Sequence, residues 1–107
     1  MTFKQLQIEV TEWGKHNFPD AEPVDPLLGA QEEIGELSHA HLKMRQGIRG
    51  TFQEHQLAKG DALADCIIFL AHYCALNNLN LQAEVETAWA SVKERDWKKY
   101  PKNGVDE

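Results

Sequence analysis

Five acidic residues stand out because their spacing brings their side chains together on helices. Glu32, Glu33 and Glu36 lie in the segment QEEIGEL, and Asp61 and Asp65 lie in KGDALADCIIFL. Residues three or four positions apart share one face of a helix, so the carboxylates of each group can converge. Several carboxylates without sulfur ligands are typical of sites for hard divalent cations such as Mg²⁺ or Mn²⁺. The spacing therefore indicates a carboxylate-bound metal.

Asp65 provides the strongest chemical argument in the sequence. It is flanked by Ala62–Ala64 and Cys66–Phe69, and no Lys or Arg occurs between Gly60 and Leu76. Burying an unpaired carboxylate is costly, so an ionised Asp65 needs a positively charged partner from outside its own helix. Because other acids are the nearest polar cluster, that partner is expected to be a divalent metal ion.

Each of these residues, considered alone, could also have a purely structural role. A glutamate triplet near a helix start is often solvated surface favoured by the helix dipole, and Asp61 alone could be a first-turn acid. His72 follows Asp65 by two turns, and a lone histidine of this kind is usually a hydrogen-bonded packing residue. Asp65 in its apolar run favours the metal site over these alternatives.

Helical periodicity predicts four helices and no strand, which is typical of an all-α, four-helix bundle-like fold. The predicted helices are about Thr2–Phe18, Pro26–Arg45 with Asp25 as N-cap, Gln53–Leu76, and Leu81–Lys99 with Asn80 as N-cap. Gly47 and Gly50 end the second helix, and short connections favour antiparallel neighbours. We expect one domain over residues 1–107, with a disordered tail at 102–107.

The apolar faces of the predicted helices favour an assembly of several chains. One stripe on the second helix consists of Ala30, Ile34, Leu37, His41 and Met44. Glu33 lies within about 50° of its centre and should face a neighbouring helix. The third helix is apolar nearly all round from Ala62 onward. A single layer of four helices would leave part of this apolar surface exposed to water. We therefore expect a homodimer or homotetramer with a shared core.

Composition restricts the class of protein. The 107 residues are 42% hydrophobic and 26% charged, as in a soluble domain. A net charge of −6 argues against binding to polymeric nucleic acid, which needs a basic field. Neither a signal peptide nor a membrane-spanning stretch is recognisable, so no membrane association is expected. Cys66 and Cys74 lack metal-ligand spacing and indicate buried thiols in a reducing, cytoplasmic setting.

Basic residues are concentrated in two stretches. They are Lys43, Arg45 and Arg49, followed by Lys93, Arg95, Lys98, Lys99 and Lys102. These cations can complement helix C-termini, or they can form two basic rims around the acidic centre and bind a polyanion. Lys43, Arg49, Lys93 and Arg95 are therefore candidate substrate contacts. Trp13 could stack on a base, although aromatic residues at helical spacing are more often core.

The arrangement of acids resembles the MazG-like all-α nucleoside triphosphate pyrophosphohydrolases. The E-x-x-E pair Glu33/Glu36 is followed by a 24-residue gap and an acidic cluster that ends at Asp65. That family has E-x-x-E, a variable spacer, and E-x-x-D on the following helix. Here Ala62 stands three positions before Asp65, and the second acid is Asp61, four positions before it. The resemblance covers about half the chain.

The resemblance implies cleavage of a nucleoside triphosphate between the α and β phosphates, which releases a monophosphate and pyrophosphate. It implies Mg²⁺, or Mn²⁺, held by Glu33, Glu36 and Asp65, with Asp61 completing the set. Glu32 is the candidate for orienting or deprotonating the attacking water. The partner would be a nucleotide, and its preferred base and sugar are left open.

Two rival interpretations fit parts of the sequence. Glu36-x-x-His39 matches the E-x-x-H signature of di-iron carboxylate bundles, but a second copy is absent, so a homodimer would have to complete the site. Alternatively, the chain is a non-enzymatic helical dimerisation module whose acids are only surface. Mg²⁺-dependent pyrophosphate release, bound iron, or neither distinguishes the three.

Overall fold

The computed structural model describes residues 1–106 as four α-helices with short connections. They are α1 (Phe3–Asn17), α2 (Asp25–Gln46), α3 (Phe52–Leu76) and α4 (Leu81–Val92). No strand occurs in this part of the chain, so the predicted all-α bundle class is confirmed. Residue 107, the last of the tail predicted to be disordered, lies outside the described residues.

Side-chain caps and a glycine define several helix ends. The Thr51 hydroxyl accepts a hydrogen bond from the Glu54 amide at 3.1 Å and starts α3. Asn80 accepts from the Ala83 amide at 3.0 Å, which confirms the predicted cap of α4. Gly47 ends α2 with φ 69°, a left-handed conformation that glycine adopts without a side-chain clash. Local sequence therefore determines these boundaries.

The start of α2 differs from the predicted cap by one residue. Val24 is the N-cap, and Asp25 is the first helical residue, followed by Pro26. The Asp25 Oδ2 atom accepts a hydrogen bond from the Glu22 amide at 2.9 Å. The Asp25 carboxylate therefore closes the turn before the helix instead of capping the free amides of its first turn.

The prediction that the fourth helix reaches Lys99 is wrong, because α4 ends at Val92. The Asp96 Oδ1 atom accepts hydrogen bonds from the amides of Lys98 and Lys99 at 3.1 and 3.0 Å. Such side-chain bonds to nearby amides compete with helical hydrogen bonds. The Asp96 amide also donates to the Gly104 carbonyl at 2.7 Å, so the segment after α4 folds back on itself in turns.

The core lies between α2 and α3, with α1 packed on α3. Its buried hydrophobic residues are mostly small: Val10, Ala30, Ala40, Ala62, Cys66, Ala71 and Cys74. Both cysteines are free and buried, as predicted. Small side chains let helix axes approach closely, and they leave most large apolar side chains at the surface of the single chain.

The buried face of α2 is displaced from the predicted stripe. Ile34 is 50% exposed and His41 is also exposed, whereas Glu33 is half-buried. The face toward the core consists of Ala30, Glu33, Leu37 and Ala40, which recur at helical spacing. Glu33 therefore lies within the packed face of α2, not at its edge.

Helix α4 leaves α3 at an angle of 109° instead of packing antiparallel to it. The Gln7 side chain holds the connection, because it donates to the Leu79 carbonyl and accepts from the Leu81 amide, both at 2.8 Å. Helix α4 then packs mainly on α1 and contains no buried residue. No single helix within residues 1–106 is long and apolar enough to cross a bilayer, and only the sharply bent α3–α4 pair combines that length and composition.

Candidate metal centre

The four predicted metal ligands lie on the two helices that form the core. Helix α2 provides Glu33 and Glu36, and α3 provides Asp61 and Asp65. Glu33 and Asp65 are half-buried, whereas Glu36 and Asp61 are exposed. Asp61 lies well inside α3, which begins at Phe52, so it is not a first-turn acid.

One oxygen of the Glu33 carboxylate lacks a partner. Its Oε2 atom is out of contact with water and makes no hydrogen bond with any atom of the described residues. Burial raises the pKa of the Glu33 carboxyl above its ordinary value of 4.5, the charge of Glu36 and a side-chain hydrogen bond with Glu36 raise it further, and the charges of Asp65 and Asp61 add to the rise. The carboxylates of Glu36, Asp65 and Asp61 are therefore close enough to Glu33 to disfavour its ionised form.

Residues 1–106 contain no group of three or more His, Cys, Asp or Glu side chains already arranged to ligate a metal ion. The chemistry of the donor set suits a hard divalent cation, since all four donors are carboxylates. Glu33 Oε2, buried and unpaired, is the atom that gains most from such a cation.

Glu32 is exposed and faces a different space from the four other acids. It lines a cleft of about 600 Å³ formed by α2, α3 and the segment between α1 and α2. Glu36 and Asp61 instead line a second cleft, of about 460 Å³, near the start of α3. The acidic cluster therefore has a cleft on either side along the α2–α3 contact.

Arg49 is the basic candidate that the structure brings to the acids, because it lines the second cleft together with Glu36 and Asp61. It has a left-handed backbone with φ 61°. The buried His55 ring holds the same loop, with Nε2 2.9 Å from the Ile48 carbonyl oxygen. The α2–α3 loop thus places Arg49 on the wall of the cleft that Glu36 and Asp61 also line.

The other basic candidates lie elsewhere. The Lys43 ammonium donates to Gln46 Oε1 at 2.9 Å. Lys93 is the C-cap residue of α4, and Arg95 packs the aliphatic part of its side chain against Gly104. None of these three lines the two clefts beside the acids. Their predicted role as substrate contacts has no support from the geometry of one chain.

Trp13 is 52% exposed, so it is not a core residue of the single chain. Its ring meets that of Phe18 edge to face, with centroids 5.5 Å apart and an interplanar angle of 64°. Phe18 itself lines the larger cleft. The aromatic pair therefore stands beside this cleft, and Phe18 is the member that reaches it.

Sequence reasoning missed two residues that shape the larger cleft. Phe69 lies one turn after Asp65 and lines the cleft, and Gly29 lies opposite it on α2. A glycine within an otherwise helical pattern is a signal of close packing, which could have identified Gly29. Phe69 gave no such signal, because an aromatic residue in an apolar helix is ordinary core by default.

Fold and site together define an all-α bundle with four carboxylates on two adjacent helices. No protein-family model matches the chain, and no curated protein or solved structure matches it either. Its chemistry must therefore be inferred from the residues and their geometry.

Proposed function

We propose that this protein is a Mg²⁺-dependent nucleotide pyrophosphohydrolase that converts a nucleoside triphosphate to a monophosphate and pyrophosphate. The observation that supports it is Glu33, whose Oε2 is buried and unpaired among three further carboxylates. A buried carboxylate without a cation destabilises the fold, and a divalent ion removes that penalty. The resemblance of these acids to the MazG-like pattern supplies the reaction.

Glu33, Glu36, Asp61 and Asp65 would hold the ion. When bound, Mg²⁺ or Mn²⁺ supplies positive charge against the phosphate oxygens of the substrate. Arg49 lines the cleft next to Glu36 and Asp61 and would bind phosphate oxygens through its guanidinium group. The negatively charged cluster alone would repel a triphosphate. The positive charge of Arg49 would offset part of this repulsion.

We assign Glu32 to the attacking water. The water oxygen bonds to the α-phosphorus while the bond from that phosphorus to the α–β bridging oxygen breaks, and pyrophosphate leaves. Glu32 accepts the proton that the water loses. Its carboxylate is exposed and faces the larger cleft, away from the four acids that would hold the ion, so it is free to contact the water.

The active form is proposed to be a homodimer or homotetramer. All three tryptophans, Trp13, Trp89 and Trp97, are more than half exposed in the single chain, and α4 buries none of its residues. Burial of these side chains against a second copy would be favourable. Lys43, Lys93 and Arg95 would then contribute to substrate binding at a neighbouring copy's site.

A nucleotide panel tests this function. Purified protein is assayed for pyrophosphate release from each common ribo- and deoxyribonucleoside triphosphate, with Mg²⁺, with Mn²⁺ and with EDTA. We expect metal-dependent release, lost in Glu33→Gln because the amide keeps the shape but removes the charge. Glu9→Gln, which changes an exposed acid on α1, is the matched control and should keep full activity. Absence of pyrophosphate from every nucleotide would overturn the proposal.

The di-iron alternative has one supporting observation, since Glu36 and His39 of the E-x-x-H signature line the same cleft. It predicts iron in the purified protein and an oxo-bridge absorption band, with no pyrophosphate release. A pure dimerisation module predicts no metal dependence of any property. Metal analysis of the same preparation therefore separates the three functions.

A further inference from the structure

The larger cleft, of about 600 Å³, has the size of a small-molecule site. Phe69 and His72 of α3 form one part of its wall, and Phe18 and Pro19 of the α1–α2 connection form another. Asn77 ties that connection to the end of α3, because its side-chain amide donates to the Pro23 carbonyl at 2.9 Å. The cleft is therefore built by three tethered segments.

Two glycines make room for the ring side chains of this wall. A Cβ atom on Gly29 of α2 would lie 2.3 Å from the Phe69 ring, and one on Gly14 of α1 would lie 2.6 Å from His72 Nε2. Both distances are far shorter than van der Waals contact. Phe69 and His72 are three residues apart and share a face of α3, so both flanking helices are adapted to this pair.

The His72 imidazole has no partner. The residue is only 7% exposed and lines the cleft, and within residues 1–106 its ring nitrogens make no hydrogen bond, although they are not closed off from solvent as Glu33 Oε2 is. Burial lowers the pKa of His72, so the ring is neutral at pH 7. A neutral imidazole has one donor and one acceptor nitrogen, and buried polar groups are normally paired. The ring is therefore ready to pair with a ligand in the cleft.

The charged side chains that line the larger cleft indicate which part of a nucleotide it can bind. The charged side chains that line the cleft are Asp20, Asp25 and Glu32, and no Lys or Arg lines it. A phosphate group would be repelled, whereas an uncharged aromatic ring would meet Phe69 and Phe18. On α3, His72 lies seven residues beyond Asp65, about 10 Å along the helix axis, so both sites can contact one elongated ligand.

We propose that this cleft binds the nucleobase of the substrate and that His72 discriminates between bases by hydrogen bonding to the base edge. The inference rests on the proposed function, which places the phosphates at the acidic cluster. His72 is a specificity-determining residue, not a catalytic one. The base lies between aromatic side chains, and the carboxylates of Asp20 and Asp25 accept hydrogen bonds from sugar hydroxyls.

Nucleosides test the cleft separately from the reaction, because they carry no phosphate and need no metal. Adenosine, guanosine, cytidine, uridine and thymidine are titrated into the full-length protein in EDTA, and binding is followed by ligand-observed NMR and calorimetry. We expect at least one nucleoside to bind saturably and tenfold or more tighter than the weakest. His72→Phe should reduce that preference at least tenfold, and His72→Gln, which keeps hydrogen-bonding groups, should restore part of it.

Leu28→Trp provides a second variant, because Leu28 is 54% exposed at the cleft and its replacement does not disturb the core. It should weaken nucleoside binding at least tenfold even if His72→Phe fails to fold. Leu42→Trp, on the same helix, 47% exposed and outside the cleft, is the control and should bind like the parent.

The two proposals fail in different ways. Nucleoside binding without pyrophosphate release would retain the cleft and overturn the reaction. Pyrophosphate release with no nucleoside binding, or with binding that neither Leu28→Trp nor the His72 variants change, would overturn the cleft.

Discussion

The position of Glu33 in the structure conflicts with its charge when no metal ion is bound. It occupies the packed face of α2, where an apolar side chain would stabilise the helix pair, yet it carries a carboxylate with a buried, unpaired oxygen. Residues that reduce stability at such positions are typical of functional sites. The extent to which Glu33 destabilises the folded protein can be measured directly.

We predict that Glu33→Gln raises the melting temperature of the metal-free protein at neutral pH. The folded-state pKa of Glu33 is raised, so its destabilising effect is absent below the ordinary value of 4.5 and grows as the pH rises above it. The difference in melting temperature between the variant and the parent should appear above that pH and become constant above the folded-state pKa of Glu33. Circular dichroism melts in EDTA across this range provide the measurement.

Glu32→Gln is the matched control, since it removes a neighbouring exposed carboxylate on the same helix, and its melting curve should follow the parent's. Added Mg²⁺ should stabilise the parent and not Glu33→Gln, reversing their order. A parent that is more stable than Glu33→Gln in EDTA at every pH would contradict the assignment of Glu33 as an unpaired buried acid.

A second prediction separates Asp61 from Asp65. Asp61 is exposed and Asp65 half-buried, so Asp61→Ala should fold normally and raise the Mg²⁺ concentration for half-maximal activity about tenfold, or about 1.4 kcal/mol. Asp65→Asn should abolish activity altogether. Asp61→Glu should retain part of the activity. A Mg²⁺ titration of Asp61→Ala that matches the parent would leave Glu33, Glu36 and Asp65 as the protein ligands.

Among the elements, the α2–α3 pair depends on small residues at its contact. Gly29 is buried because the Phe69 ring occupies the space where a side chain would lie. The same helix contains Gly35, whose Cβ position has no neighbouring atom within 4 Å. A substitution at Gly29 therefore tests side-chain packing, whereas a substitution at Gly35 on the same helix tests helix propensity.

We predict opposite effects for the two alanine variants. Gly29→Ala should destabilise the protein by up to about 2 kcal/mol, because overpacking outweighs the gain in helix propensity. Gly35→Ala should stabilise it by about 0.5–1 kcal/mol, since only the backbone entropy term acts. Urea unfolding of both variants measures the difference, and equal effects would show that Phe69 moves away without cost.

At the scale of the whole molecule, the single chain is extended. Its radius of gyration is 17.5 Å, compared with about 13 Å for a compact chain of this length. Within residues 1–106 no large side chain is fully buried, and Leu63, Trp89 and other large apolar residues remain exposed. These features are typical of a subunit that completes its core with another copy.

We predict a solution mass of at least two 12.2 kDa chains at micromolar concentration, measured by light scattering. Leu63→Glu and Trp89→Glu should lower that mass, because each places a charge on an apolar surface that a second copy would cover. Val105→Glu changes an equally exposed residue in the C-terminal turns and should leave the mass unchanged. A monomeric parent with an intact helical spectrum would exclude the shared core.

Local signals in the sequence were sufficient for the helices and for the grouping of the acids. Thr51, Asn80 and Gly47 form caps whose chemistry acts within a few residues, so helix boundaries near them can be predicted. The i, i+3 and i, i+4 spacing of the acids is likewise a property of one helix. That Mg²⁺ occupies the cluster and that the chain forms oligomers remain predictions.

Tertiary structure decided everything that depends on contacts distant in sequence. Hydrogen bonds of the Gln7 side chain hold the connection at which α4 turns away from α3. Gly29 permits the close approach of the Phe69 ring, and on the same helix Glu33 is half-buried whereas Ile34 is exposed. Each outcome depends on steric fit or hydrogen bonding between segments, which periodicity along one helix does not encode. His72 becomes a candidate for base recognition only because separate segments of the chain place this buried residue on the wall of a cleft.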